Sequence, residues 1–188
     1  DLVKISENSK VRAIGIAGQM HGLVMLDKDD NVIRPAILWN DGRSQEETDY
    51  LNNEIGKAKL TELTGNIAFA GFTAPKILWV KKNEPENFKK TVKIMLPKDY
   101  LVYRLSGAFT TDYSDASGFL LLDVKNRCYS KEMLDICGIT EDMLPALHES
   151  SDIVGMMNKD LAKELGIEGE CALIAGAGDN AGSAIGTG

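Results

Sequence analysis

The stretch that most constrains this chain is Cys171-Ala-Leu-Ile-Ala-Gly-Ala-Gly-Asp-Asn-Ala-Gly182. The apolar run 171–175 reads as a buried strand, and Gly176 and Gly178 break it. Asp179 and Asn180 follow the break, and small residues continue to Gly188. This is a strand, a sharp glycine turn and the start of a helix that packs closely. A carboxylate placed there stands at the end of a sheet strand, where α/β folds build their sites. Asp179 could act as a general base or simply cap the next helix. Local sequence leaves both readings open.

The rest of the chain alternates strands and helices, which makes the class α/β. Residues 1–10 are polar and finish a helix or loop. Residues 11–17 form a mostly apolar strand, expected to be buried on both faces. Strands at 23–26 and 32–39 flank the polar turn Asp27–Asn31 and predict a hairpin, with Arg34-Pro35 making the second arm irregular. Ser44-Gln-Glu-Glu47 reads as a capping box opening a helix to about Ile55. Helices follow at 57–63, 76–83 and 97–105, punctuated by Gly65, Pro75, Pro85, Pro97 and Gly107, with a short strand at 92–96. Residues 110–118 read as a polar loop, 119–123 as a strand, and 130–137 and 160–165 as helices ended by Gly138 and Gly166. The sheet is small for the number of helices, and both chain ends look cut.

Composition excludes some functions. With 28 acidic and 21 basic residues the formal net charge is −7, which disfavours nucleic acid as a partner. Cys128, Cys137 and Cys171 are odd in number and lack a Cys-x-x-Cys spacing, against a disulfide framework or zinc site and for a reducing compartment. Only His21 and His148 are available as imidazoles, and no apolar run is long enough to span a membrane.

Four other strings could carry chemistry. Gly18-Gln-Met-His-Gly22 bends at a strand end and exposes Met20 and His21, where a histidine can meet a substrate hydroxyl or merely be hydrogen-bonded. Ile37-Leu-Trp-Asn-Asp-Gly-Arg43 offers the Trp39 indole and the Asp41 carboxylate as a wall for a polyol, or a core Trp before a polar turn. In Gly71-Phe-Thr-Ala-Pro-Lys76, Lys76 is expected to be solvated or paired, and Trp79 beyond it to be core. Asp112-Tyr-Ser-Asp-Ala-Ser-Gly118 looks like an Asx-rich turn or helix start, with Asp112 and Asp115 as solvated loop acids. Their spacing gives no pair opposed across a sugar ring, against a glycosidase. There is no Gly-x-x-x-x-Gly-Lys-Ser/Thr phosphate loop and no dinucleotide Gly-x-Gly-x-x-Gly after a strand.

Taken together, and in this order over residues 11–188, these strings with Thr64-Gly-Asn66, Leu96-Pro-Lys-Asp-Tyr-Leu101 and Gly176-Ala-Gly-Asp-Asn180 resemble the FGGY carbohydrate kinases. Gln-Met-His-Gly with Trp-Asn-Asp-Gly-Arg is similar to the branch that acts on D-xylulose. The resemblance implies a ribonuclease H-like (actin-like ATPase) domain, incomplete at its N-terminus, in a two-domain enzyme. Residues 1–188 would be most of the N-terminal, sugar-binding domain. An Asp-x-Gly-Thr phosphate hairpin would lie before residue 1 and the nucleotide domain after residue 188, leaving the fragment alone inactive. The implied reaction transfers phosphate from ATP, with Mg²⁺, to D-xylulose, giving D-xylulose 5-phosphate. Asp179 matches the catalytic base, while Met20, His21, Trp39, Asp41 and Asn180 match the substrate pocket. ATP and Mg²⁺ would be held mainly outside the fragment. The implied protein is cytoplasmic, takes a small sugar rather than a membrane or nucleic-acid partner, and belongs to a family often found as homodimers. A kinase for another ketose or polyol, and a non-catalytic actin-fold module, are the alternatives.

Overall fold

The computed structural model describes residues 10–188. The polar lead-in expected before them lies outside the described residues. In chain order the strands are β1 (Ala13–Gly18), β2 (Val24–Leu26), β3 (Lys93–Met95), β4 (Thr110–Asp112), β5 (Leu122–Asp123), β6 (Cys128–Tyr129), β7 (Ala146–His148), β8 (Ile153–Met156) and β9 (Ala172–Gly178). The α-helices are α1 (Gln45–Tyr50), α2 (Lys57–Thr64), α3 (Thr73–Asn83), α4 (Pro85–Lys90), α5 (Pro97–Ser106), α6 (Tyr113–Ala116), α7 (Lys131–Cys137), α8 (Lys159–Glu164) and α9 (Asp179–Thr187).

β9 is the middle of the main sheet, parallel to β1 and antiparallel to β8. Its register places Ala13 opposite Ala172 and Gly18 opposite Gly178, so β1 and β9 finish at the same level. That alignment depends on a bulge between Gly15 and Ala17. Gly176 has φ +80°, and a Cβ on it would run into the Ile16 carbonyl, so only glycine fits there. The residues after each strand, 19–21 and 179–180, therefore emerge side by side, although most of the chain separates them.

β1 is an edge strand whose residues alternate between exposed and half-buried. The expectation of burial on both faces is corrected: among the described residues, no strand pairs with its other edge. The hairpin at 23–39 forms only in outline. Leu26 bridges Val32 and Leu23 bridges Ile37, but the returning arm makes no continuous strand, since Pro35 has no N–H to give a ladder. β2 pairs instead with β3.

The capping box at Ser44 is also corrected. Ser44 stands at the N-cap of α1 but its hydroxyl donates to the Ala70 carbonyl at 3.1 Å, and no side-chain cap bond forms. The helix ends near Ile55 as expected, closing in a π-helical turn at Leu51–Gly56; Gly56, at φ +96°, breaks it, and the separate helix α2 runs on from Lys57 until Gly65, at φ +76°, ends it. α3 starts earlier than expected, at Thr73, and Pro85 opens the further helix α4. The expected strand at 119–123 reduces to β5, because residues 117–119 take a 3₁₀ turn.

The largest core joins the β2 hairpin to the helices, around Leu23, Met25, Leu51, Ile77, Ile94 and Phe119. A second packs α5 and α8 under the main sheet through Val102, Ala162, Cys171 and Leu173. α5 thus lies between the sheet and the hairpin, and its first turn comes up beneath the strand ends.

Candidate active site

Met20, His21, Trp39, Asp179 and Asn180 line one cavity of about 180 Å³. These residues come from the ends of β1 and β9 and from the hairpin's returning arm. Larger cavities occur elsewhere, lined by residues such as Lys159 and Glu170, but they hold none of these groups. Trp39 is 57 % exposed at the rim, so it is not a core residue. Its indole offers an apolar face for sugar C–H groups.

Asp179 is the first residue of α9, and Gly178 holds the N-cap position. Its carboxylate accepts the Asn180 N–H at 2.9 Å, and the residue is exposed. The carboxylate therefore does not serve as the N-cap, and it opens on the cavity from the N-terminal end of a helix.

His21 is held by its backbone. Its φ of +70° is rare for a residue with a side chain. The Thr73 hydroxyl donates to its carbonyl at 3.1 Å and the Lys76 ammonium donates to the same oxygen at 2.8 Å. The imidazole stands edge-on to Phe72 at 4.6 Å. Burial first, then the Lys76 charge, hold its pKa below the usual value against the opposing pull of Asp179. A neutral imidazole has one donor and one acceptor nitrogen, which suits a sugar hydroxyl. Gly118 lies directly behind the ring, where a Cβ would overlap it. Gly118→Ala is expected to push the imidazole into the cavity and weaken sugar binding about tenfold, read by calorimetric titration of a full-length protein carrying this chain. Unchanged affinity would remove His21 from the pocket.

Lys76 is not solvated, and among the described residues no carboxylate forms an ion pair with it. It is fully buried, donates to the Gly71 carbonyl at 2.5 Å as well as to His21, and burial lowers its pKa to about 8. Asp41 is not on the cavity wall. Its carboxylate pairs with Arg43 at 2.7 Å, and Arg43 stacks over the Trp79 ring at 4.9 Å. Trp79 packs against the large core as expected, partly buried.

Asp112 and Asp115 are the largest departure from the sequence reading. Both are completely buried, not solvated. Asp112 does open a helix, accepting the Ser114 N–H at 3.0 Å. The Lys98 ammonium, also buried, lies 2.7 Å from Asp99, 3.1 Å from Asp112 and 4.0 Å from Asp115. Burial pushes the Asp99 carboxyl up, and its contact with Lys98 opposes this. One cation against the carboxyls of Asp99, Asp112 and Asp115 is too little to keep all of them ionised without water. Asp115 is the farthest of the three from Lys98, and among the described residues neither of its oxygens has a hydrogen-bond partner. Burial, reinforced by Asp99, pushes its pKa up to about 8.

Below about pH 4 the Asp115 carboxyl is protonated in folded and unfolded chains alike; between there and about pH 8 only the folded chain keeps the proton. Stability is therefore expected to fall as pH rises across that window, by up to about 1.4 kcal/mol per pH unit from this group. Asp115→Asn should remove the slope and be the more stable form at pH 8, measured by urea unfolding at a series of pH values. A variant with the parent's slope would contradict a neutral Asp115.

Residues 2–186 match the N-terminal domain model of the FGGY family of carbohydrate kinases. The chain belongs to that family. This FGGY domain is 47 % identical over 178 residues to the xylulose kinase of Escherichia coli (strain K12), covering 95 % of the chain and 36 % of that protein. The crystal structure of a ligand-bound xylulose kinase from Lactobacillus acidophilus superposes with a TM-score of 0.91 at 28 % identity, over 98 % of this chain and 38 % of that one. A gluconate kinase from the same organism gives 0.89 at 28 % identity, over 94 % and 36 %. The α/β fold is that of the actin-like ATPases, and the FGGY domain spans little more than a third of its relatives' length.

Proposed function

We propose that the protein carrying this FGGY domain phosphorylates D-xylulose to D-xylulose 5-phosphate with ATP. The observation that carries the reading is the convergence of Met20, His21, Trp39 and Asn180 on one cavity with Asp179. The 47 % identity to a protein named xylulose kinase supports the choice of sugar.

In this reading Trp39 covers the apolar face of the sugar. Neutral His21 and Asn180 hold neighbouring hydroxyls, and Met20 completes the wall. Asp41 acts from behind, fixing Arg43 on Trp79. Asp179 accepts the proton of the C5 hydroxyl as that oxygen forms its bond to the transferred phosphorus. Phosphoryl transfer asks for a positioned nucleophile and a proton acceptor, and this half of the site supplies both.

ATP supplies the phosphoryl group. Mg²⁺ and most nucleotide contacts we assign, on the family resemblance, to a phosphate hairpin and a nucleotide domain of the parent enzyme outside this domain. The domain by itself is then inactive. No helix among the described residues is long and apolar enough to cross a membrane, and Cys128, Cys137 and Cys171 are free thiols. The enzyme we propose is cytoplasmic and its partner is a small sugar. A homodimer is the assembly we propose for the parent.

The likeness to a gluconate kinase favours one second reading, a kinase for another polyol or ketose on the same frame. A substrate panel with a full-length protein separates the two. D-xylulose should exceed D-ribulose, glycerol and gluconate in kcat/KM by at least about tenfold. Equal values, or a preference for any of the others, would overturn the choice of xylulose.

A further inference from the structure

The buried acids at 112–115 touch neither the cavity nor solvent, yet they connect to the strand end that delivers Asp179. The Ser114 hydroxyl donates to Asp112 Oδ2 at 2.5 Å and accepts the Gly178 N–H at 3.2 Å. Gly178 is the residue immediately before Asp179 and the N-cap of its helix. On the same strand the Lys98 ammonium donates to the Ala175 carbonyl at 3.0 Å, while its contacts with Asp99 and Asp112 anchor it to the first turn of α5 and the end of β4. The last turn of β9 is thus gripped at Ala175 and at Gly178. Between the grips stands Gly176 with φ +80°, the bulge that lets β9 finish level with β1.

We propose that Lys98, Asp112 and Ser114 form a positioning network for Asp179, setting the carboxylate's place by fixing the Gly178 peptide. The inference rests on the reading of Asp179 as the base. A backbone amide bonded to a serine whose own proton is committed to a buried carboxylate has little freedom to turn. A general base displaced by a fraction of an ångström loses rate while the rest of the pocket still binds sugar.

The test uses three variants of a full-length protein carrying this chain. Ser114→Ala removes the Gly178 contact. Ser150→Ala removes another hydroxyl donating to the same Asp112 oxygen, at 2.9 Å, without contact to Gly178 through its side chain. Ser114→Thr retains a hydroxyl. The expected result is a fall in kcat of on the order of tenfold for Ser114→Ala, with KM for D-xylulose within about twofold and Ser150→Ala near the parent. Ser114→Thr should recover kcat to within about threefold. A merely structural network predicts that both alanine variants lower the unfolding temperature and leave kcat alike. That outcome, or normal turnover by Ser114→Ala beside an inactive Asp179→Ala, overturns the network alone. Normal turnover by Asp179→Ala overturns the base and the network together.

Discussion

Asp179→Ala in a full-length protein carrying this chain is expected to cut turnover by about 10³-fold or more while sugar affinity changes by only a few-fold. Asp179 is exposed, opens on the cavity from the first turn of α9, and among the described residues its hydrogen-bond partner is the neighbouring Asn180 N–H. Its removal leaves no buried charge and opens no core cavity, so fold and sugar wall should survive. What is lost is the acceptor for the hydroxyl proton. Equilibrium binding by titration and turnover by a coupled assay separate the two effects. A variant that turns over within tenfold of the parent would remove Asp179 from the chemistry; one that neither binds nor turns over would give it a binding role instead.

The largest expected effect on stability is at Lys98. Its side chain is fully buried against Asp99 and Asp112, with Asp115 at the edge of reach. Lys98→Met keeps most of the volume and deletes the cation that faces these acids. Removing one partner from a buried ion pair typically costs about 3–5 kcal/mol, because the remaining charge is left without compensation. Against the stability of an ordinary domain, about 5–15 kcal/mol, that is a large share. Urea unfolding at pH 7 should show the loss, and Lys98→Met combined with Asp99→Asn should return part of it. A loss below about 1 kcal/mol would mean that the cluster is already neutral or reached by water.

What was legible in the sequence was local. The strand at 171–175, its glycine break and the helix beyond depend on residues within a few positions of each other, and β9 and α9 formed there. The glycines at 18 and 22 marked the bend that carries Met20 and His21, and the FGGY resemblance tied those strings to one pocket. The nearness of Asp179 to His21 has no local signal. It is set by the register of β1 against β9 and by the Gly176 bulge.

The burial of Asp112 and Asp115 runs against expectation, because a polar run between helices usually meets water, and here a buried lysine ahead of them in sequence reverses that. The signal lies in that lysine. Lys76 and Lys98 both lie at the N-terminal turn of a helix, where the backbone dipole disfavours a cation. A lysine in that position needs another partner. One holds the His21 carbonyl and the other the acids beneath Asp179. Asp41 lies two positions beyond the pocket residue Trp39, and its carboxylate pairs with Arg43 instead of lining the cavity.

In the proposed function D-xylulose sits among Met20, His21, Trp39 and Asn180 with its C5 hydroxyl presented to Asp179. A crystal structure of a full-length protein carrying this chain, with D-xylulose bound, measures this most directly. The predicted result is the C5 oxygen within about 2.6–3.2 Å of an Asp179 carboxylate oxygen, with the Trp39 indole against the carbon chain. Sugar bound away from this cavity, or bound in it with a different hydroxyl facing Asp179, would contradict the account.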